Sequence, residues 1–265
     1  MSAQIHRLEE EAGQLLFVRS TRSVQLTSAG ETLLGFARTI LRLNEDARLR
    51  LSGVPDAGRV RIGANEDLTG GWLPKVLRRL GLQYPELEVE LEIGIGPRLF
   101  EMVEAQELDL AIGGFCNGRG QGRRLWSEPL VWASSADFDI PSLLPLALFP
   151  EPCPYREAAL RALAGSEKQW RIVSTSSSLA GVRAAAMAGL AITLLPLQTI
   201  KPGLRILNKK DKMSKLPAVE YVLYIRESDN RPTVSALGNL IQQMAASASP
   251  TSTDERRTSS VKRLR

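Results

Sequence analysis

The feature that most constrains the fold is a regular alternation of strand and helix patterns that begins at Arg59. Short apolar runs are typical of buried strands, and apolar residues spaced three or four apart are typical of helices. Consecutive strands joined by helical crossovers form right-handed βαβ units and a parallel sheet. The first half of this region is predicted to form strands at 60–63, 87–93 and 108–112 and helices at 72–82 and 97–106.

The second half of the region repeats this plan. Its predicted strands are 146–149, 170–173 and 192–195, and its predicted helices are 155–163 and 179–188. A last strand at 219–225 and a last helix at 233–246 return to the first half. The sequence therefore predicts an α/β fold with two lobes around a cleft. Lobe I would take residues 59–130 and 217–246, and lobe II would take residues 131–216.

A short helix and a small hairpin are predicted ahead of the lobes. Apolar side chains at helical spacing mark the helix, namely Ile5, Leu8, Ala12 and Leu15, while Glu9–Glu11 are placed on its polar side. Gly13 is a suitable end for this helix. Extended runs at 15–18 and 24–26 flank a polar turn and predict the hairpin.

A long amphipathic helix is predicted from Ala29 to Leu51. Thr27 or Ser28 can cap it, and Ser28 with Glu31 has the spacing of a capping box. Its apolar stripe has one polar interruption and consists of Leu33, Phe36, Ala37, Ile40, Asn44, Ala47 and Leu51. A flexible segment separates this helix from the lobes, so a second copy of the same helix is the simplest partner for the stripe.

The charge of the chain is concentrated in its tail. The formal net charge is +5, and residues 247–265 hold five basic and two acidic side chains, a net +3. This tail lacks apolar periodicity and is predicted to be disordered. No run is long enough to span a membrane, and there is no basic-then-apolar leader. Cys116 and Cys153 lie far apart and show no metal or redox spacing, so a reduced cytoplasmic setting is expected.

Four junctions between a strand and the next helix form the candidate binding site. In open α/β sheets, ligands lie beyond the carboxyl ends of strands, where helix N-termini offer free N–H groups. The hydroxyl-rich run 174–178 suits a carboxylate or another small anion, although plain helix capping is the better explanation for any single serine. The candidate residues are Asn65, Glu66, Gly96, Pro97, Cys153, Arg156, Ser176, Ser177 and Ser178.

The sequence offers no catalytic constellation. The only histidine, His6, lies in the first helix, so Ser–His and Cys–His dyads in the cleft are excluded. Metal-ligand spacing is absent, and neither Gly94–Gly96 nor the glycine-rich loop predicted at 113–120 completes a nucleotide-binding motif. Glu66 and Asp67 are predicted to point apart in a solvated loop, and Cys153 to be a packed or ligand-lining thiol. We therefore expect no enzyme, no cofactor and no metal.

The combined order of the short motifs resembles LysR-type transcriptional regulators. Ser2–Glu9 resembles the second half of their recognition helix, and residues 16–31 resemble their wing and the start of their dimerisation helix. Further matches are Arg61–Gly63, Leu73–Pro74, Tyr84–Pro85, Glu107–Ile112, Pro152–Arg156, Ser178–Gly181 and Ala188–Pro196. The resemblance runs from Ser2 to about Ala246 and divides the chain into a partial winged helix-turn-helix (1–28), a linker helix with hinge (29–58) and an effector-binding domain (59–246).

The resemblance implies a regulator that reads promoter DNA and senses a small molecule. The effector, in this family often an organic acid, would bind between two lobes that resemble periplasmic binding proteins, and the protein would form dimers or tetramers. Ser2, Gln4 and Arg7 would face bases or phosphates, and Arg19 and Arg22 would contact phosphates beside the wing. The alternative for these five residues is a solvated polar face.

The sequence departs from the family at its start. The family's first two helices and the beginning of its recognition helix have no counterpart, and a helix-turn-helix needs them to brace the recognition helix. Either the true start codon lies upstream, which we favour, or the chain is a fragment that senses and dimerises without binding DNA. A two-lobed enzyme would lack catalytic residues, and a solute-binding transport protein would lack an export signal.

Overall fold

The computed structural model describes residues 2–19, 24–51, 58–116, 121–166, 168–207, 209–226, 229 and 231–248. The tail from residue 249, the turn 20–23 and Arg22 with it lie outside the described residues, as does 52–57 of the hinge. The helices are α1 (Ser2–Ala12), α2 (Ser28–Leu51), α3 (Trp72–Gln83), α4 (Gly96–Glu104), α5 (Pro154–Ala164), α6 (Leu179–Met187) and α7 (Pro232–Ala248).

Eleven strands are described, together with short 3-10 turns at Glu66–Leu68, Leu197–Thr199 and Lys209–Asp211. The strands are β1 (Phe17–Arg19), β2 (Val24–Leu26), β3 (Arg59–Asn65), β4 (Glu88–Gly94), β5 (Leu110–Cys116), β6 (Arg123–Ser135), β7 (Leu143–Leu148), β8 (Gln169–Thr175), β9 (Thr193–Pro196), β10 (Leu204–Leu207) and β11 (Ala218–Ile225). Within the described part of the chain, no helix is both long and apolar enough to cross a membrane.

The N-terminal helix is tied to the hairpin through Glu9. Gly13 follows α1 with a φ of +65°, the left-handed conformation that glycine adopts at helix ends. The carboxylate of Glu9 accepts hydrogen bonds from the backbone N–H groups of Leu16 and Phe17 at 2.8 and 3.2 Å. This side chain therefore fixes the start of β1, which pairs antiparallel with β2.

Thr27 caps the long helix. Its hydroxyl accepts from the N–H of Gly30 at 3.0 Å and donates to the carbonyl of Leu15 at 2.7 Å. A Cβ at position 30 would overlap the Leu16 carbonyl, so glycine lets α2 lie directly against the hairpin. The capping box with Ser28 does not form, since Ser28 is already the first residue of the helix.

The apolar stripe of α2 is open to solvent in a single chain. Phe36 and Ile40 are 64% and 65% exposed, and Leu41 is 68% exposed. Exposed apolar residues recurring on one helix face mark an interaction surface. The described residues thus leave this face without an intramolecular cover, as the sequence predicts.

The sheet of lobe I has the order β6-β11-β5-β3-β4. β3 is parallel to β4 and β5, as predicted, whereas β11 pairs antiparallel with β5 and β6. The returning strand β11 therefore adds an antiparallel part to the predicted parallel sheet, because it enters this sheet on its way back from lobe II. The glycine-rich loop predicted at 113–120 is wrong in its first half, since Gly113–Cys116 complete the buried strand β5.

Lobe II is built on the far half of β6. β7 and β8 are parallel, and a parallel bridge between Leu146 and Ile192 joins them to the segment before β9. β9 and β10 both pair antiparallel with β6. The single strand β6, for which the sequence predicts no element, therefore runs from one lobe into the other.

Candidate functional site

A cavity of about 360 Å³ lies between the two lobes. Lobe I contributes residues 65–67 after β3, the end of β4 with the start of α4, and Gly114 of β5. Lobe II contributes 149–150 after β7, the start of α5, and Ser177 with Leu179 at the start of α6. The cavity therefore lies at strand carboxyl ends and helix N-termini, the place where open α/β sheets bind ligands.

All four candidate junctions contribute to this cavity. The predicted residues that line it are Asn65, Glu66, Gly96, Cys153 and Ser177. The other four predicted residues, which do not line it, are Pro97, Arg156, Ser176 and Ser178. The guanidinium of Arg156 binds the carboxylate of Glu151 at 3.0 Å and the carbonyl of Phe149 at 3.1 Å. Their role in effector binding stays a prediction.

The remaining three residues are engaged in helix starts. The hydroxyl of Ser178 accepts from the N–H of Gly181 at 3.1 Å and so caps α6. The hydroxyl of Ser176 accepts from the N–H of Ser178 at 3.2 Å. Pro97 occupies the first turn of α4 and lines a separate shallow groove beside Phe100. Ser178 is therefore a helix cap, which is the explanation that the sequence favours for any single serine.

Glu66 bridges the lobes. Its carboxylate accepts a hydrogen bond from the N–H of Leu179, the first residue of α6, at 2.6 Å. A helix N-terminus has unpaired N–H groups and a partial positive charge, both of which favour a carboxylate. The protein's own carboxylate therefore occupies a position suited to an anionic group.

Asp67 is a second contact between the lobes. One carboxylate oxygen, Oδ2, accepts hydrogen bonds from the hydroxyls of Tyr155 on α5 and Tyr221 on β11, the latter at 2.9 Å. Asp67 is only 7% exposed. The solvated loop predicted for Glu66 and Asp67 is therefore wrong: the segment is a 3-10 turn that sends the two carboxylates to different partners in the cleft.

The pKa of Asp67 is raised to about 6. Burial is the main cause, because it disfavours the charged carboxylate, while the hydrogen bonds from Tyr155 and Tyr221 act in the opposite direction. The neighbouring charge of Glu66 raises it further. Near neutral pH, Asp67 is thus poised to respond to a change in the charge beside it.

Glycines bring α4 onto β5 beside the cavity. A Cβ on Gly113 would lie 2.7 Å from the Cα of Gly96 and 2.9 Å from the ring of Phe100. Real Cβ atoms do not approach so closely, so position 113 needs glycine, while a Cβ on Gly96 would make a tight contact of 3.1 Å with the Cα of Gly113. The pattern Gly94–Gly96 thus serves close packing of a helix start on a strand.

Cys153 is an inert lining residue. It precedes the first turn of α5 and is 2% exposed. Burial raises its pKa, and the N–H groups of Tyr155 and Arg156 only partly oppose this effect. The thiol rather than the thiolate is favoured, which does not suit a nucleophile. Among the described residues, no cluster of His, Cys, Asp and Glu has the makings of a metal site.

Residues 54–246 match the family model of the LysR substrate binding domain. The chain belongs to the LysR family. Residues 1–31 match a second model, the bacterial regulatory helix-turn-helix protein of the lysR family. The two models cover the hairpin, α1 and both lobes, and the family shown is one of transcriptional regulators.

Curated relatives of this LysR-family chain are transcriptional regulators. It is 32% identical over 244 residues to the HTH-type transcriptional regulator PecT of Dickeya dadantii, covering 91% of this chain and 77% of PecT. It is 35% identical over 228 residues to DgdR of Burkholderia cepacia, covering 84% of this chain and 76% of DgdR. The crystal structure of the LysR family regulator CbnR shares the fold, with a TM-score of 0.63 at 22% identity over 92% of this chain and 88% of CbnR.

The residues predicted to contact DNA lie on α1 and the hairpin. Gln4 and Arg7 are exposed on α1, and Arg7 forms an ion pair with Glu11 at 3.1 Å. Ser2 begins α1 and Arg19 ends β1, whereas Arg22 lies outside the described residues. Their contacts with DNA stay predictions.

The two hydroxyl partners of Asp67 are not predicted from the sequence. Tyr155 and Tyr221 are separated from it by 88 and 154 residues, so no local pattern links them. The available signal was chemical: a tyrosine within a buried strand, such as Tyr221 in β11, requires a partner for its hydroxyl. A carboxylate next to a strand end is a suitable acceptor.

Proposed function

We propose that this LysR-family chain is a DNA-binding transcriptional regulator that responds to a small molecule bound between its lobes. The observation that carries this proposal is the cavity of about 360 Å³, lined from both lobes and crossed by the Glu66 and Asp67 contacts. Its size is within the range of small-molecule sites. As a regulator of chromosomal genes, the protein would act in the cytoplasm.

The two bridging carboxylates give an effector a way to act. A ligand shifts a conformational equilibrium by binding one state better than another. An effector in the cavity would contact Glu66 and Asp67 and would alter the hydrogen bonds that these carboxylates accept from Leu179 and Tyr155. The relative position of the lobes would then depend on the ligand, and the assembly on DNA would follow.

DNA binding is assigned to the N-terminal region and assembly to α2. Gln4 and Arg7 on α1, with Ser2, Arg19 and Arg22, would contact promoter DNA, and CbnR has been solved in complex with its target DNA. The exposed stripe around Phe36 and Ile40 would pair with the same helix of a second chain to form a homodimer or homotetramer.

A second candidate function is that of an effector-binding and dimerising fragment without DNA binding of its own. It is favoured by the exposure of the apolar side of α1, where Leu8 is 41% exposed, and of Leu15 just after this helix, which is 69% exposed. A recognition helix normally buries that side on preceding helices. In this case the chain would compete with longer partners for assembly.

A DNA mobility-shift assay separates the two candidates. We would compare this chain with one extended at its N-terminus by the upstream reading frame, each with a fragment of the promoter region. Specific binding by the extended chain alone supports the second candidate for the chain as it stands. Binding by both, lost in Arg7→Ala, supports the first, and binding by neither contradicts DNA recognition.

Ligand screening tests the sensor. A molecule present at about 100 times its dissociation constant should raise the free energy of unfolding by about 2.7 kcal/mol, which thermal-shift measurements detect. The same molecule should change the affinity for DNA. A ligand that stabilises the protein without any effect on DNA binding would contradict a regulatory role of the cavity.

A further inference from the structure

We propose that the effector carries a protonated amine and that this group binds between Asp67 and Asn65. The inference rests on the proposed function and specifies the chemistry of the ligand. Three observations carry it: two unpaired buried acceptors, the charge of the cavity, and its apolar walls.

The first observation is a pair of buried oxygens that have no hydrogen-bond partner among the described residues. They are Oδ1 of Asn65 and Oδ1 of Asp67. The two residues are 5% and 7% exposed, and both line the cavity. Buried polar atoms are nearly always paired, because an unpaired one has lost water without compensation. These atoms therefore require donors from something that enters the cavity.

Among the described residues, the side-chain donors to Asp67 lie on the other side of its carboxylate. The hydroxyls of Tyr155 and Tyr221 both point to Oδ2, which leaves Oδ1 free in the described structure. Both unpaired atoms are acceptors, so the matching group must donate at least two hydrogen bonds. An ammonium group offers three N–H donors and no acceptor, whereas a carboxylate offers none.

The second observation is the charge of the cavity. Three carboxylates line it, those of Glu66, Asp67 and Glu92. Of the described lining residues, Arg98 alone is basic, and its side chain is 62% exposed and paired with Glu101 at 3.5 Å. The cavity is therefore negative and favours a cation.

The position best suited to an anion is already filled. The carboxylate of Glu66 occupies the N-terminus of α6 through its bond to Leu179. An organic acid, as expected from the sequence, would have to displace Glu66 and then lie beside two further carboxylates. An amine faces neither obstacle.

The third observation is the apolar part of the cavity lining. Ile95, Phe149 and Leu179 line the cavity. A short alkyl body attached to the amine would bury its surface there, because apolar groups are driven from water into such sites. The ligand class is thus a small amine with an aliphatic body.

The experiment titrates the full chain with two matched pairs of probes at constant ionic strength. Butylammonium and 1,4-diaminobutane carry the cation, while pentanoate and adipate present the same alkyl chains with carboxylates. Binding is followed by calorimetry and thermal shift. We expect the amines to bind and Asp67→Asn to weaken them by about tenfold to a hundredfold, because a charge-assisted hydrogen bond is lost.

A matched control keeps this result specific. Glu86→Gln removes an exposed carboxylate just before β4, at the edge of the sheet opposite the cavity. It should leave the affinity for amines unchanged. Thermal unfolding of Asp67→Asn without ligand shows whether the variant is folded.

A second measurement needs no variant. The charged and titratable groups that interact with Asp67 are Glu66 on its own turn, Tyr155 on α5, Tyr221 on β11, Glu128 on β6, Cys116 on β5 and Cys153 before α5. An ammonium beside Asp67 favours its ionised form and lowers its pKa from about 6, so binding near that pH releases protons. The binding enthalpy will then depend on the ionisation enthalpy of the buffer.

The outcomes separate the ligand chemistry from the sensor function. Amine binding with proton release, weakened in Asp67→Asn, supports the proposal. Binding of the carboxylates alone overturns it and leaves the cavity as an effector site. Amine binding that is unchanged in folded Asp67→Asn also overturns it. Binding of neither pair overturns this proposal and removes support from the proposed sensor function as well.

Discussion

The carboxylate of Glu66 accepts a hydrogen bond from the backbone N–H of Leu179 at 2.6 Å and so joins lobe I to lobe II. The two residues are 113 positions apart in sequence. Glu66 belongs to the turn after β3, and Leu179 begins α6. One side chain thus connects the carboxyl end of a strand in one lobe with the positive end of a helix in the other.

Removal of this carboxylate should loosen the start of α6. In Glu66→Ala we expect the Leu179 amide proton to exchange at least about tenfold faster, since its hydrogen-bond acceptor is gone. The free energy of unfolding should fall by about 0.5–2 kcal/mol. Nuclear magnetic resonance hydrogen exchange and urea unfolding measure the two effects. Glu66→Gln keeps a hydrogen-bond acceptor, so its effects should lie between those of Glu66→Ala and the wild type. Glu92→Ala should leave the exchange rate of the Leu179 amide unchanged. An effect of Glu92→Ala equal to that of Glu66→Ala would contradict the bridge.

Glu128 should make stability depend on pH. Burial raises its pKa to about 7, the bond from the N–H of Gln198 at 2.6 Å lowers it, and the charge of Asp67 raises it. Because the folded state holds this proton more tightly than the unfolded chain, stability is greatest in acid and is lost as pH rises from about 4.5 to about 7.

The variant Glu128→Gln should remove the part of this stability loss that occurs toward pH 7. A glutamine oxygen can still accept from Gln198, so near pH 8 the variant should be about 1–3 kcal/mol more stable than the wild type. Urea unfolding between about pH 5 and about pH 8 measures the difference. Asp67, with a pKa of about 6, still causes a loss of stability at lower pH in both proteins. An identical pH profile of the two proteins would refute the assignment to Glu128.

Both cysteines should resist alkylation in the folded protein. Cys116 and Cys153 are 6% and 2% exposed, and burial raises the pKa of Cys116 to about 12 and also raises that of Cys153. Iodoacetamide reacts with the thiolate, so labelling should be at least about a hundredfold slower than in the urea-unfolded chain. Peptide mapping by mass spectrometry resolves the two sites. Fast labelling of Cys153 in the folded chain would show that its thiol is accessible and activated.

Charges on the exposed stripe of α2 should dissociate the oligomer. Phe36→Asp with Ile40→Asp places carboxylates where a second helix would bury apolar side chains. Light scattering coupled to size-exclusion chromatography should give the mass of one chain for this variant and a multiple for the wild type. Gln83→Asp adds a charge at an exposed site on α3 and should leave the mass unchanged. A wild-type monomer would rule out assembly through α2.

The parts of the fold that the sequence predicts are those with a local signal. The apolar periodicity of α3 and the extended pattern of β4 required no distant partner to be recognised, and the convergence of four strand–helix junctions on one cavity follows from βαβ topology. Strand β6 has no such signal. Its alternate residues from 126 to 134 are buried, but Glu128 and Ser134 are among them and Pro129 lies between, so the sequence shows no continuous apolar alternation.

The buried role of Asp67 could not be predicted for a related reason. Adjacent carboxylates in a turn usually face solvent, and only the tertiary fold brings Tyr155 and Tyr221 to this one. The glycines of β5 are predicted to lie in a loop, because glycine in a sequence favours loops over strands. In the structure, Gly113 is needed where Gly96 of α4 packs on the strand.

The course of β6 has a consequence for how such a protein can be altered. The chain leaves lobe I after Pro129 and returns at Ala218, and these two residues face each other as partners in the β6–β11 pairing. Lobe II is thus an insertion whose two ends emerge side by side. A tight turn joining Pro129 to Ala218 would close a hairpin and restore one continuous sheet without the intervening segment. Lobe II can therefore be regarded as an exchangeable unit inserted into lobe I. Its exchange would change the part of the cavity wall that lobe II contributes, while the part from lobe I stays intact.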